Sequence, residues 1–171
     1  VWEAATGRPL GAPLRHDGAV LLASFSSDGS RLLTASSEGT AQVWNALAGE
    51  SLGGRFHHDS RIHAASFSPN ATRVVTAFAD GYVAVWDAAT GNRLVELRHK
   101  GPVYSAQFNP DGSRLVTASW DRSAQVWDAA TGQELARSPG LPRGAEAVAL
   151  SQDGQTIVSA TWGDTMTFWK V

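Results

Sequence analysis

Short runs in which apolar residues alternate with small or polar ones fill the 171-residue chain, and a turn sequence closes each run. Residues 103–138 show the unit. Val103 to Phe108 is a β-rich run that stops at Asn109-Pro110-Asp111-Gly112, where proline presets φ and glycine supplies a positive φ. Leu115 to Ser119 forms a second run, closed by a tight turn around Asp121, and Ser123 to Trp127 a third. Asp128 to Gly132 turns the chain again, and Glu134 to Ala136 begins a fourth, poorer run. A period of two in runs of this length predicts strands. No stretch sustains a 3.6-residue apolar period, and Gly or Pro interrupts the chain about every ten residues, so helices are excluded and the fold class is all-β.

The pattern repeats. Trp2, Trp44, Trp86, Trp127 and Trp169 are spaced 42, 42, 41 and 42 residues apart. The surrounding phrases recur as well: V-W-E-A-A-T-G at 1–7, V-W-D-A-A-T-G at 85–91 and at 126–132, with V-W-N-A-L-A-G at 43–49. Upstream stand R-L-L-T-A-S at 31–36, R-V-V-T-A-F at 73–78 and R-L-V-T-A-S at 114–119. Four strands in a period of about 42 residues are the signature of a propeller blade. The expected blades are 15–56, 57–98, 99–138 and 139–171, each of four antiparallel strands, in a single propeller segment spanning 1–171. The fourth blade stops short of its outer strand. Residues 8–14 are an orphan outer strand, so 1–14 is expected to act as a closure segment that completes the last blade when a ring closes. Prolines Pro9 and Pro13 suit an outer edge, where a missing N–H leaves the ladder intact.

These repeats resemble the WD-repeat β-propeller family over essentially the whole chain. In that family a histidine before the inner strand, a Ser or Thr on the second strand, an Asp in the next tight turn and the Trp form a buried hydrogen-bonded cluster. The third repeat matches the full pattern with His99, Ser119, Asp121 and Trp127. The first offers His16, Ser36 and Trp44 with Glu38 for the Asp; the second offers His58, Asp80 and Trp86 with Phe78 for the Ser. The fourth keeps Thr161 and Trp169, while Leu141 and Gly163 replace His and Asp. That blade is expected to be the least stable. The resemblance also implies a ring of seven or eight blades, of which four would be about half. The missing half would be another copy of this chain or part of a longer parent chain, because repeat units cannot bury their faces alone.

Composition narrows the function. Hydrophobic content of 43%, charged content of 18% and a net charge of −2 describe a globular protein. There is no basic stripe of the kind a nucleic-acid partner requires, and no apolar stretch long enough for a membrane span. The absence of cysteine excludes disulfides and thiolate metal sites and fits a cytoplasmic location. Twelve Arg against two Lys, beside abundant Ala and Gly, suggests a high-GC bacterial genome. The single methionine is Met166, so the chain reads as a piece of a longer, processed or engineered product.

No catalytic constellation survives inspection. There is no G-x-S-x-G elbow, phosphate loop, dinucleotide fingerprint or H-E-x-x-H. Asp28, Asp111 and Asp153 recur at turn positions and are turn formers. The periodic histidines have structural roles in the resemblance, and His57 and His63, outside that position, lack a ligand set. Asn70-Ala71-Thr72 matches a glycosylation sequon but sits where other repeats have Asp-Gly, which makes it a turn. No metal, cofactor or catalytic residue is expected. Trp120 and Trp162 are different: both fall between second and third strands, where the other repeats have Ser37 and Ala79, and neither serves the repeat cluster. With Arg61, Lys100 and Tyr104 nearby, they form a candidate patch for an acidic or proline-rich peptide. The resemblance implies a non-catalytic protein-interaction scaffold or sensor module. The alternatives are a self-assembling propeller fragment, natural or engineered, and a small-molecule or enzymatic site in the central channel. The inner strands carry few ionisable groups for such a site: Val20, Ala23, Ile62, Ala65, Val103, Ala106, Ala147 and Ala149 dominate.

Overall fold

A computed structural model describes residues 1–163 and 165–170; Asp164 and Val171, within the expected fourth blade, lie outside the described residues. Fifteen strands and no helix make four separate antiparallel sheets among them. The first holds β1 (Val20–Phe25), β2 (Arg31–Ser36), β3 (Thr40–Asn45) and β4 (Ser51–His57). The second holds β5 (Ile62–Phe67), β6 (Arg73–Phe78), β7 (Tyr82–Asp87) and β8 (Arg93–Arg98). The third holds β9 (Val103–Phe108), β10 (Arg114–Ser119), β11 (Ser123–Asp128) and β12 (Glu134–Arg137). The fourth has three strands: β13 (Ala145–Leu150), β14 (Thr156–Thr161) and β15 (Met166–Lys170). Strand order follows chain order, because short turns join neighbours directly.

The first strands of successive sheets lie against one another, β1 with β5, β5 with β9 and β9 with β13, so they are the inner strands of an arc. Each junction is a core of its own. Leu33, Val43 and Phe56 of the first sheet meet Ile62, Val74 and Trp86 of the second. Val75, Val85 and Leu97 of the second meet Val103, Leu115 and Trp127 of the third, and Val116 and Val126 of the third meet Val148 and Ile157 of the fourth. Both faces of an interior sheet are therefore covered. That explains why β6 and β10 are buried at five consecutive positions although they lie in antiparallel sheets.

Arginines at the start of the second strands cross these junctions. Arg31 donates to the Ala71 carbonyl at 3.0 Å, and Arg73 donates to the carbonyls of Gly112 and Ala129 while its guanidinium lies 5.1 Å from the Phe108 ring. Ala71 has φ +54°, at the turn position where Gly29, Gly112 and Gly154 adopt +70° to +75°. The Asn70 side chain accepts from Ser68, from the Thr72 N–H and from the Thr72 hydroxyl, which holds that turn.

The N-terminal segment packs on the first sheet. Val1 and Leu14 cover Leu32, Trp44 and Ala46, and Trp2 bridges Pro9. Residues 8–14 thus lie at the opposite end of the arc from the three-stranded sheet they were expected to complete on ring closure. The four sheets do not close on themselves, so the two ends stay apart.

Candidate functional site: an aromatic row on the loop face

Every inner strand breaks register near its start. The pairings skip one residue between Val20 and Leu22, Ile62 and Ala64, Val103 and Ser105, and Ala145 and Ala147. The extra residues are Leu21, His63, Tyr104 and Glu146, and a β-bulge re-aims the side chain it inserts. Just beyond, Ser37, Ala79, Trp120 and Trp162 occupy equivalent places. Each donates its backbone N–H back across the inner strand, Trp120 to Pro102 and Trp162 to Gly144. Bulge and loop together bring four rings into one row across three sheets. His63 stacks on Tyr104 at 4.3 Å and 22°, Tyr104 lies 5.7 Å from Trp120, and Trp120 meets Trp162 edge to face at 6.2 Å.

Trp120 is 47% exposed and Trp162 58%. Trp120 is seated on Gly144, where a Cβ would stand 2.7 Å from its ring, so only glycine leaves room for this ring position. His63 is partly buried, and desolvation, followed by the nearby Arg61 charge, lowers its pKa against the opposing effect of a hydrogen bond to the Val103 backbone. The imidazole in the row is therefore neutral at pH 7. The arrangement offers π faces and apolar edges.

Of the sequence candidates, Tyr104, Trp120 and Trp162 come together. Arg61 belongs to an adjoining open groove of about 850 Å³ with Asp17, Glu38, Arg55, His57 and Asp59. In it Arg55 pairs with Asp17 at 2.6 Å and His57 meets Asp59 at 2.9 Å. Lys100 enters through its backbone, which donates to Asp121 at 3.1 Å. His63 was not among the sequence candidates. Its signal was there, since it stands 41 residues before Tyr104 at the same place in the repeat. Among the described residues, no group of three or more His, Asp or Glu side chains could hold a metal ion, and no helix is long and apolar enough to cross a membrane.

The buried cluster beneath this face differs from the expected one first in its hydroxyl. The hydroxyl at its centre belongs to Thr34, Thr76 and Thr117, two residues before the expected Ser36, Phe78 and Ser119 positions. Trp44, Trp86 and Trp127 donate their indole N–H to these threonines at 2.7, 2.7 and 2.9 Å. Alternate residues of a strand point to opposite faces, and steps of two keep Ser36 on the same face but carry it beyond reach of the indole. Ser36 Oγ is buried without a partner, and Ser119 Oγ donates to the Gly101 carbonyl. In the third sheet His99 Nε2 meets Thr117 at 2.7 Å and Nδ1 meets Asp121 at 3.0 Å. In the first, His16 reaches Thr34 at 2.6 Å, while Glu38 accepts from its neighbour Ser37. In the second, His58 turns to Asp80 at 2.8 Å and stacks on Tyr82 at 4.2 Å. The fourth has Leu141 buried in the histidine's place and Ser159 in the threonine's. Ser159 Oγ turns to the Thr167 carbonyl, Thr161 donates to the Thr165 carbonyl, and the Trp169 indole N–H is buried without an acceptor.

Radially arranged antiparallel sheets, three with a Trp–Thr hydrogen bond and two of these extended by a histidine, define a β-propeller segment. The family model described as "WD domain, G-beta repeat" matches residues 7–45, 50–87 and 91–128, more than half of the chain. The chain therefore belongs to the WD40 repeat family, whose propellers generally serve as protein-interaction scaffolds. The fourth sheet, whose cluster is depleted, lies outside the matched segments. Among solved structures, the computationally designed Ika8 protein superposes with a TM-score of 0.88 at 28% identity, over 99% of this chain and 51% of that one. The computationally designed Ika4 protein superposes with a TM-score of 0.85 at 27% identity, over 97% of this chain and 99% of that one. The chain thus spans about half the length of Ika8 and nearly all of Ika4. No curated protein matches it.

Proposed function

We propose that this chain is a non-catalytic interaction module, bacterial and cytoplasmic, whose loop face captures a proline-rich peptide segment of a partner protein. The row His63, Tyr104, Trp120 and Trp162 carries the reading. Proline-rich segments are pre-extended and dock into aromatic-lined surfaces at low entropic cost. Half-exposed tryptophans on a rigid scaffold provide the large apolar area that dominates interface energetics. The neutral imidazole, which offers no positive charge to a carboxylate, favours this occupant over an acidic one.

Calorimetric titration with a panel of proline-rich and acidic peptides tests the proposal. Trp120→Ala and Trp162→Ala should each weaken proline-rich binding by about tenfold or more, equivalent to about 1.4 kcal/mol, whereas Trp2→Ala should leave it unchanged. Binding that the loop tryptophan variants do not alter, or preference for acidic peptides with steep salt dependence, would reject it.

A further inference from the structure

The two ends of the arc expose what its interior buries. At every internal junction the leading face of one sheet meets the trailing face of the next. On the trailing face of the first sheet, Val20 is 49% exposed, whereas its repeat equivalents Ile62 and Val103 are 1% and 0%. Phe25, on the same face, is 56% exposed. On the leading face of the fourth sheet, Met166 and Phe168 are 64% and 70% exposed, yet Ala41, Val83, Ala124 and Val43, Val85, Val126 at the same places are all 0%. One end thus presents a trailing face that Val1 and Leu14 cover only over Leu32, Trp44 and Ala46, and the other a leading face left open, which are the two halves of one junction.

The N-terminal segment marks how a neighbour would sit. The Trp2–Pro9 bridge is the repeat equivalent of the pairs Trp44–Ser51, Trp86–Arg93 and Trp127–Glu134, which join third and outer strands. Residues 8–14 therefore already occupy the place of an outer strand one sheet before the first. The fourth sheet, with β15 at its edge among the described strands, has no outer strand paired to it.

We propose that two copies of this chain join head to tail through these faces. The leading face of each fourth sheet covers Val20 and Phe25 of the other copy, and residues 8–14 of each copy pair with β15 of its partner. Phe168 and Trp169 of the partner then take the positions that Val1 and Trp2 hold here, so the exchange is strand for strand. A second copy is the occupant because each copy supplies both required faces. The chain also matches, over 99% of its length, 51% of a structure of the same fold, so its arc has the shape of one half of a larger assembly. Head-to-tail contacts form a closed ring when the rotation per unit fits and an open filament when it does not; here two arcs of four sheets close a ring of eight.

Light scattering over a hundredfold concentration range should give twice the 18.1 kDa chain mass. Phe25→Glu and Phe168→Glu, both at exposed positions, should each raise the dissociation constant about tenfold or more while leaving the circular dichroism spectrum unchanged. Register makes a second prediction. The Ala41–Phe56 pair places Met166 of one copy opposite Leu14 of the other. The chain has no cysteine, so mixing singly substituted Leu14→Cys and Met166→Cys chains under mild oxidation should yield the mixed cross-linked pair, because facing strand residues lie within disulfide reach. A monomer at all concentrations would overturn the proposal and assign the faces to neighbouring repeats of a longer chain. A mass that keeps growing with concentration would replace the ring with a filament. A pair that fails to cross-link in this register would overturn the strand exchange.

Discussion

Thr117 is the residue through which the third sheet's polar cluster is organised. Its oxygen accepts the Trp127 indole proton, which frees its own proton for His99 Nε2 and leaves His99 Nδ1–H to donate to Asp121. One hydroxyl thus satisfies two buried rings and sets the neutral tautomer of the imidazole. Thr117→Val should strand both ring nitrogens, each at about 1–3 kcal/mol, and lower the urea midpoint more than Thr34→Val, because His16 is only partly buried and can turn to water. The opposite change is available in the fourth sheet. Ser159→Thr should restore the acceptor missing from Trp169, since the added methyl restricts the χ1 wells of the side chain. A gain of about 1 kcal/mol, read from chemical denaturation, would confirm that the orphaned N–H is what weakens this sheet.

At the scale of the element, the four sheets share a plan and differ in what holds them. Val148 and Ile157 pack the fourth sheet on the third, but it has neither the histidine cluster nor a covered outer face. Hydrogen exchange should therefore show β13–β15 opening before β9–β11, as local stability follows buried contacts. Acid should act on the third sheet. Burial lowers the His99 pKa below its ordinary 6.5, and the Asp121 hydrogen bond only partly opposes this. Between the folded value and 6.5 the unfolded chain binds more protons. Stability from this site is thus fully present above about 6.5 and falls as pH drops below it. His16 and His63 shift in the same direction. Asp121 is lowered by its hydrogen bonds to Ser123, the Lys100 backbone and His99 despite the opposing effect of burial, so its contribution persists until pH falls below 3.8. A thermal scan series from pH 8 to 5 should show a flat melting temperature and then a decline, and His99→Gln should flatten that decline.

At the scale of the molecule, what matters is how sheets are joined, since no backbone ladder crosses from one sheet to the next. The junctions are apolar cores, and arginines pin the first two of them. Arg73 reaches two carbonyls in the third sheet's turns, whereas Arg31 reaches one in the second's. Hydrogen bonds from a charged donor contribute roughly 1.5–3 kcal/mol. Arg73→Ala should therefore lower the melting temperature more than Arg31→Ala; equal losses would mean that the cores alone set the junctions. The same organisation explains the site and the ends. A scaffold of stacked sheets can present rigid rings on a loop face, and any sheet without a neighbour must leave one apolar face in water.

Much of this was legible in the residues. The tryptophan period and the alternating runs determined the strands, their order within a sheet and the sheet-to-sheet repeat, because a two-residue period and fixed turn sequences are local properties of the chain. Trp120 and Trp162 stood out because each repeat supplies its own comparison, and Tyr104 because it lies near the start of an inner strand close to the same face. The threonine was less legible, because T-A-S offers two hydroxyls two residues apart and only the depth of the indole decides between Thr117 and Ser119. His63 joined the row through a bulge, a register slip that no single strand's pattern reveals. The position of residues 8–14 against the first sheet, and the exposure of Phe25 and Phe168, depended on the curvature of the arc. That curvature arises from packing between sheets: volumes and angles at three apolar junctions add up along the arc, and no local signal in the chain encodes their sum.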